Sequence, residues 1–178
     1  MLQKAEAGPS RNRGSKPFRI LGLDPGLAST GWGLVEVSGN RLRYLAHGCV
    51  QTEASRPRGE RLFFIYREIC GVLETYKPRE GAIENLYFGK NVSSAMAVAE
   101  ARGVITLALV QRGLEVTEFT PGAIKIGVAG VSRAGKEQVQ EMVRLILGLE
   151  SVPKPDHAAD ALAAAICAAH NGPAIARP

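Results

Sequence analysis

At 178 residues, 46% of them hydrophobic and 22% charged, the chain has the composition of one globular domain with a full core, which excludes a disordered or disulfide-stapled protein. No apolar run approaches the roughly 18 residues that a membrane span requires, and the first ten residues lack the apolar centre of a signal peptide, so a cytoplasmic protein is expected. The net charge of +5 hints at a polyanionic partner, although Lys4, Arg11, Arg13 and Lys16 against Glu6 put +3 of it before residue 18 and leave only +2 for the body.

Residues 1–17, rich in Gly, Pro, Ser and basic side chains, read as a flexible arm, with the folded domain expected over 18–170 and a short tail over 171–178. F-R-I-L-G-L-D (18–24) predicts a first strand. The D-P-G-L that ends it fits a type II turn, with Pro25 and Gly26 at its corners. G-W-G-L-V-E-V (31–37), the tight S-G-N connection and R-L-R-Y-L-A-H-G-C-V (41–50) complete a three-stranded antiparallel meander. From Arg58 to Tyr76 the spacing of Leu62, Ile65, Ile69, Val72 and Leu73 predicts an amphipathic helix stopped by Pro78. A strand over 81–85, a helix from about Ser93 to Gln111 with Gly113 as its stop, and a fifth strand over 114–119 follow. Pro121 opens a short helix, 127–135 reads as a small-residue loop, and a helix runs from Lys136 to about Leu147. An alanine-rich helix entered through P-K-P-D-H (153–157) ends near His170. A meander followed by helix-linked strands predicts an α/β fold whose mixed sheet carries helices on both faces. The three cysteines, Cys49, Cys70 and Cys167, are too scattered for a disulfide framework or a zinc site and read as reduced core residues.

Four polar residues stand out against this background. Asp24 ends the first strand and Glu84 lies at the end of the fourth, each directly after apolar neighbours. Carboxylates seldom occupy such positions unless paired or bound to metal. Structural capping remains an equal alternative for either one alone. If the fourth strand lies parallel to and beside the first, the two come within several ångströms of each other, and a cation such as Mg²⁺ would offset their repulsion. On the last helix His157 and Asp160 are three apart, Asp156 and Asp160 four apart, and the surrounding alanines let that helix lie close to a sheet. Asp156, just before the helix, reads first as its N-cap.

The blocks D-P-G-L-A-S-T-G-W-G, A-I-E-N-L-Y-F-G-K-N-x-x-S-A, A-R-G-V, T-P-G-A-I-K and H-A-A-D-A-L-A-A-A-I, in this order, resemble the RuvC family of bacterial Holliday junction resolvases, which have the ribonuclease H-like fold. The likeness covers residues 18–170. It implies a five-stranded mixed sheet and a dimeric crossover junction endodeoxyribonuclease that resolves four-way DNA junctions in recombination and repair. Such an enzyme makes paired symmetric nicks with divalent metal, Mg²⁺ or Mn²⁺, two ions per site, and leaves ligatable ends. By the same resemblance Asp24, Glu84 and Asp160 are metal-binding catalytic carboxylates. The fourth catalytic position is His157, where many relatives have aspartate, and the neighbouring Asp156 is not the motif residue. Lys125 and Lys136 match lysines used near scissile phosphates. Tyr87 and Phe88 are candidates for stacking on a splayed base, and Arg102, Arg133 and Lys90 for backbone contacts. The implied partners are a four-way DNA junction, a second copy of the chain and the RuvA–RuvB branch-migration complex. The small, apolar helix over 93–111 suits close packing across a two-fold axis.

Three rivals are weighed. A branched-DNA-binding protein without activity leaves the four polar residues unexplained. A phosphotransferase of the actin and hexokinase kind requires a second domain and a second phosphate loop. A ribonuclease H acting on RNA–DNA hybrids shares the metal chemistry and differs only in the blocks that carry the resemblance.

Overall fold

The computed structural model describes residues 16–85 and 92–171, with 92–94 as backbone only. Tyr87, Phe88 and Lys90 lie outside the described residues, as do all of the expected arm except Lys16 and Pro17 and the tail beyond Asn171. The chain runs β1 (Phe18–Asp24), β2 (Ser29–Ser38), β3 (Arg41–Gln51), α1 (Arg58–Tyr76), β4 (Glu80–Glu84), α2 (Val92–Gln111), β5 (Glu115–Phe119), α3 (Pro121–Ala129), α4 (Lys136–Leu147) and α5 (Asp156–Asn171). The strands form a single sheet in the order β3-β2-β1-β4-β5. The first three are antiparallel, joined by short connections, whereas β4 lies parallel to β1 and β5 parallel to β4. A parallel neighbour requires a crossover, which α1 and α2 supply.

Side-chain alternation sorts the strands between two cores. Ile20 and Ala82 face α3, α4 and α5. Leu21, Leu23 and Ile83 face α1 and α2. In α1 the buried residues Ile65, Ile69 and Leu73 recur every four positions, and the helix closes on Lys77, whose left-handed backbone N–H donates to the Leu73 carbonyl at 3.0 Å. Apart from Asp160, the helix α5 is buried from Ala158 to Ala169, chiefly against β1 and β2. Its alanines meet a glycine path on the sheet. A methyl group at Gly22 would run into the Ala161 carbonyl oxygen, and one at Gly31 into that of His157. Small residues on both partners therefore let backbone approach backbone, which fixes how far His157 and Asp160 stand from the ends of the strands.

Several expectations need correction. Gly26 does not take the positive φ that a type II turn demands at that corner. A methyl there would instead strike the Ser29 carbonyl at 2.5 Å, and the turn is closed by Thr30, whose hydroxyl donates to the Gly26 carbonyl at 2.7 Å. The loop expected from residue 127 begins only at Gly130, the left-handed C-cap of α3. Gly127 is small because α3 crosses α5 at Cys167 and Asn171, with no room for a side chain. At the head of α3, Thr120 accepts from the Ala123 N–H at 3.1 Å, with Pro121 in the first turn. Asp156 lies within the first turn of α5 rather than before it. Its carboxylate turns outward to Lys154 and Lys136. Of the cysteines only Cys167 is a core residue, while Cys49 and Cys70 are half-buried, and all three are free thiols.

Candidate active site

The ladder between β1 and β4 ends at the pair Leu23–Ile83. One residue further along each strand stand Asp24 and Glu84, and alternation turns both to the α5 side of the sheet. The parallel, adjacent arrangement required of these strands is present. Asp24 is only 7% exposed. The first turn of α5 then brings His157 and Asp160 over the same spot, and the ligand atoms of Asp24, His157 and Asp160 lie within 4.8 Å of one another. Glu84 stands outside that set but close enough for the charges of Asp24 and Asp160 to act on it.

The electrostatics are those of crowded anions. Burial raises the Asp24 carboxyl above its ordinary range and the Asp160 charge adds to this, while the His157 hydrogen bond and Lys136 work against it. Burial, followed by the charges of Asp24 and Asp160, pushes the Glu84 carboxyl up to about 7, although Lys136 and Lys125 pull it down. His157 Nδ1 lies 2.6 Å from Asp24 Oδ2. An ionised Asp24 can only accept, so Nδ1 is the donor of this bond, and in the neutral imidazole that leaves the Nε2 lone pair free.

The cations lie at the rim. Lys136 Nζ sits 3.2 Å from Asp156 and 3.4 Å from Asp160. Partial burial disfavours its charge, but the two carboxylates outweigh that and raise its pKa. Asp156 in turn is held down to about 2 by Lys154 and Lys136. Lys125 on α3 is half-buried, and Arg133 lies exposed in the turn before α4. Arg102, a candidate for DNA contact, is instead engaged with Asn85 and Glu118. Two carboxylates and an imidazole in mutual reach, one of the carboxylates deeply buried, form an oxygen-rich donor set with surplus negative charge. That set fits a divalent cation.

The family model for crossover junction endodeoxyribonuclease RuvC matches residues 20–168. The chain belongs to the RuvC family. RuvC of Treponema denticola is 52% identical over 147 residues, 83% of each chain. RuvC of Heliobacterium modesticaldum is 51% identical over 85% of this chain and 94% of its own. Among solved structures, Thermus thermophilus RuvC in complex with a Holliday junction substrate superposes with a TM-score of 0.82 and 36% identity, covering 86% of this chain and 93% of that one. The five-stranded mixed sheet with helices on both faces is thus the RuvC fold, and Asp24, Glu84, His157 and Asp160 all lie within the matched span.

Two features of this site were not read from the sequence. One is Thr30, fully buried, which fastens the turn after Asp24. A threonine four residues beyond a Pro-Gly is too common to signal such a bond. The other is the Asn85–Arg102–Glu118 cluster, whose members are far apart in sequence and meet only through the crossover topology.

Proposed function

We propose that this chain is a structure-selective endodeoxyribonuclease that resolves four-way DNA junctions in homologous recombination and repair. It hydrolyses two phosphodiester bonds of like polarity and leaves ligatable ends. Membership of the crossover junction endodeoxyribonuclease family supports the substrate. The observation that carries the chemistry is Asp24, a buried carboxylate flanked by Glu84 on the neighbouring strand and by His157 and Asp160 on α5.

Asp24, Glu84, His157 and Asp160 are assigned to the reacting centre. Two divalent ions, Mg²⁺ or Mn²⁺, suit the arrangement, because Asp24 has Glu84 on one side and the His157–Asp160 pair on the other and would be the shared ligand. When bound by these residues, such ions would supply the Lewis acidity that lowers the pKa of water and stabilises a leaving 3′ oxygen. His157 can add its Nε2 lone pair to the donor set or use it to orient the attacking water and take its proton. Lys136 and Lys125 have the charge and the location to meet the scissile phosphate, with Lys136 exchanging its carboxylate partners for a phosphate oxygen. Arg133, Tyr87, Phe88 and Lys90 are assigned to the remaining DNA contacts. A two-fold dimer is supported by Met96, Leu107 and Val110, large apolar residues more than half exposed on the outer side of α2. The same reading makes the RuvA–RuvB complex the source of the junction and the cytoplasm its site of action, in keeping with the absence among the described residues of any helix long and apolar enough to cross a membrane.

The test is incubation with a synthetic four-way junction, a linear duplex and an RNA–DNA hybrid in Mg²⁺ or Mn²⁺, repeated with Asp24→Asn. Paired symmetric nicks in the junction alone are expected, abolished in the variant while junction binding persists. Cutting of the hybrid would make the protein a ribonuclease H, and binding without cutting a recognition module.

A further inference from the structure

The β1–β4 ladder ends at Leu23–Ile83, and on its other side Glu84 pairs with Phe119 of β5, where the Asn85 N–H donates to the Phe119 carbonyl at 2.8 Å. Alternation turns the next side chain, Asn85, to the opposite side of the sheet, and there it meets a second set of groups. Its Oδ1 accepts from Arg102 Nη1 of α2 at 2.8 Å, and its Nδ2 donates to Glu118 Oε2 of β5 at 3.0 Å. Arg102 Nη1 and Glu118 Oε2 are themselves 3.5 Å apart, which closes a triangle. A guanidinium has no acceptor and a carboxylate no donor, so the amide has only one orientation that satisfies both. Aspartate in place of Asn85 would turn a carboxylate toward Glu118 and lose the donor.

We propose that Asn85, clamped between Arg102 and Glu118, is a positioning residue that fixes the backbone at Glu84 and so holds that carboxylate within the divalent-cation site. The inference rests on the reading of Glu84 as a cation ligand. It explains why Arg102 and Glu118, neither of which reaches the site, are tied to the residue that follows Glu84. Charge-assisted bonds of this kind are geometrically specific, and partners behind a metal ligand typically contribute about 10–100-fold in affinity or activity.

The experiment compares the parent with Asn85→Asp, with Glu118→Gln, and with the two combined. In the double variant the donor and acceptor roles are exchanged between the strands. The carboxylate introduced on β4 accepts from Arg102 and from the amide introduced on β5, so the triangle re-forms. Two quantities are read: Mn²⁺ binding by the DNA-free protein, followed through the spectrum of free Mn²⁺, and kcat and KM on a four-way junction. Asn85→Asp should weaken Mn²⁺ binding and lower kcat by about tenfold or more, with KM and metal-free junction affinity within about twofold. The double variant should recover most of both losses. Should Asn85→Asp fail to fold, Glu118→Gln, which removes the carboxylate charge but keeps an amide oxygen to accept from Asn85, should give a smaller loss of the same two quantities. Unchanged Mn²⁺ binding and kcat in folded Asn85→Asp would overturn the proposal, as would a loss confined to KM, or a double variant no better than Asn85→Asp. A parent that binds Mn²⁺ in this pattern yet leaves the junction uncut would overturn the nuclease reading while sustaining the positioning role.

Discussion

Glu84 has a raised carboxyl because the fold buries it beside two other anions, and that sets a direction for stability. An unfolded glutamate titrates near 4.5 and the folded one near 7, so between these values the folded state binds the extra proton. Its contribution is complete below about 4.5 and is lost as pH rises through about 7. In the presence of a chelator, the Tm of the parent should therefore fall between about pH 5 and 8 more steeply than that of Glu84→Gln, and at about pH 8 the variant should melt higher. Added divalent cation should reverse that order, because only the parent retains the full donor set. At His157 the donor is softer than a carboxylate, and imidazole suits Mn²⁺ better than Mg²⁺. His157→Asp should accordingly lower the ratio of nicking rates in Mn²⁺ and Mg²⁺, and an unchanged ratio would remove the imidazole from the metal's reach. These residues were legible because each breaks a pattern: a charge after an apolar strand, a histidine within an alanine helix. Thr30 and Asn85 break none, and only the fold shows what they touch.

Among the elements, α5 depends on being thin. Its alanines and the glycines opposite them set the distance between the helix and the sheet, and Gly31 lies beneath the His157 carbonyl itself. Gly31→Ala should cost about 1–3 kcal/mol through overpacking. It should also reduce nicking far more than thermal stability alone would explain, since the first turn of α5 must lift. Circular-dichroism melts alongside junction cleavage check both. The periodicity of α1 reported its boundaries well, because the helix has one buried stripe and a clear stop. The small residues near 127 did not, since the same composition describes a loop and a helix pressed against another helix. Asp156 misled for a related reason. A residue type favoured before a helix is also favoured in its first turn, where the helix dipole welcomes a negative charge.

For the whole molecule, the layers and the mixed sheet followed from a meander succeeded by helix-linked strands, whereas the place of β4 beside β1 was only a condition in the sequence and is supplied by the fold. The small, apolar character of the helix over 93–111 had already marked it as the surface of the proposed two-fold dimer. On α2, Ala101, Ile105, Ala108 and Leu109 are buried against the sheet, while Met96, Leu107 and Val110 point away from it. Gly103, with open space above it, lies along the same outer stripe. On the proposal that α2 joins two copies, Met96→Glu should give monomers that bind junctions poorly, as judged by size-exclusion chromatography with light scattering and by gel shift. An undisturbed dimer would move the interface off α2.

The site is assembled from distant stretches of chain: residue 24, residue 84, and a helix that begins at 156. During synthesis Asp24 and Glu84 can become neighbours once β1 and β4 pair, but the face of the sheet that α5 covers stays bare until α5 has left the ribosome. A nascent chain lacking α5 thus holds Asp24 and Glu84 without the His157 and Asp160 that stand over them. It acquires cutting chemistry only with the segment that also completes its core, so that competence to cleave DNA arrives together with the finished fold.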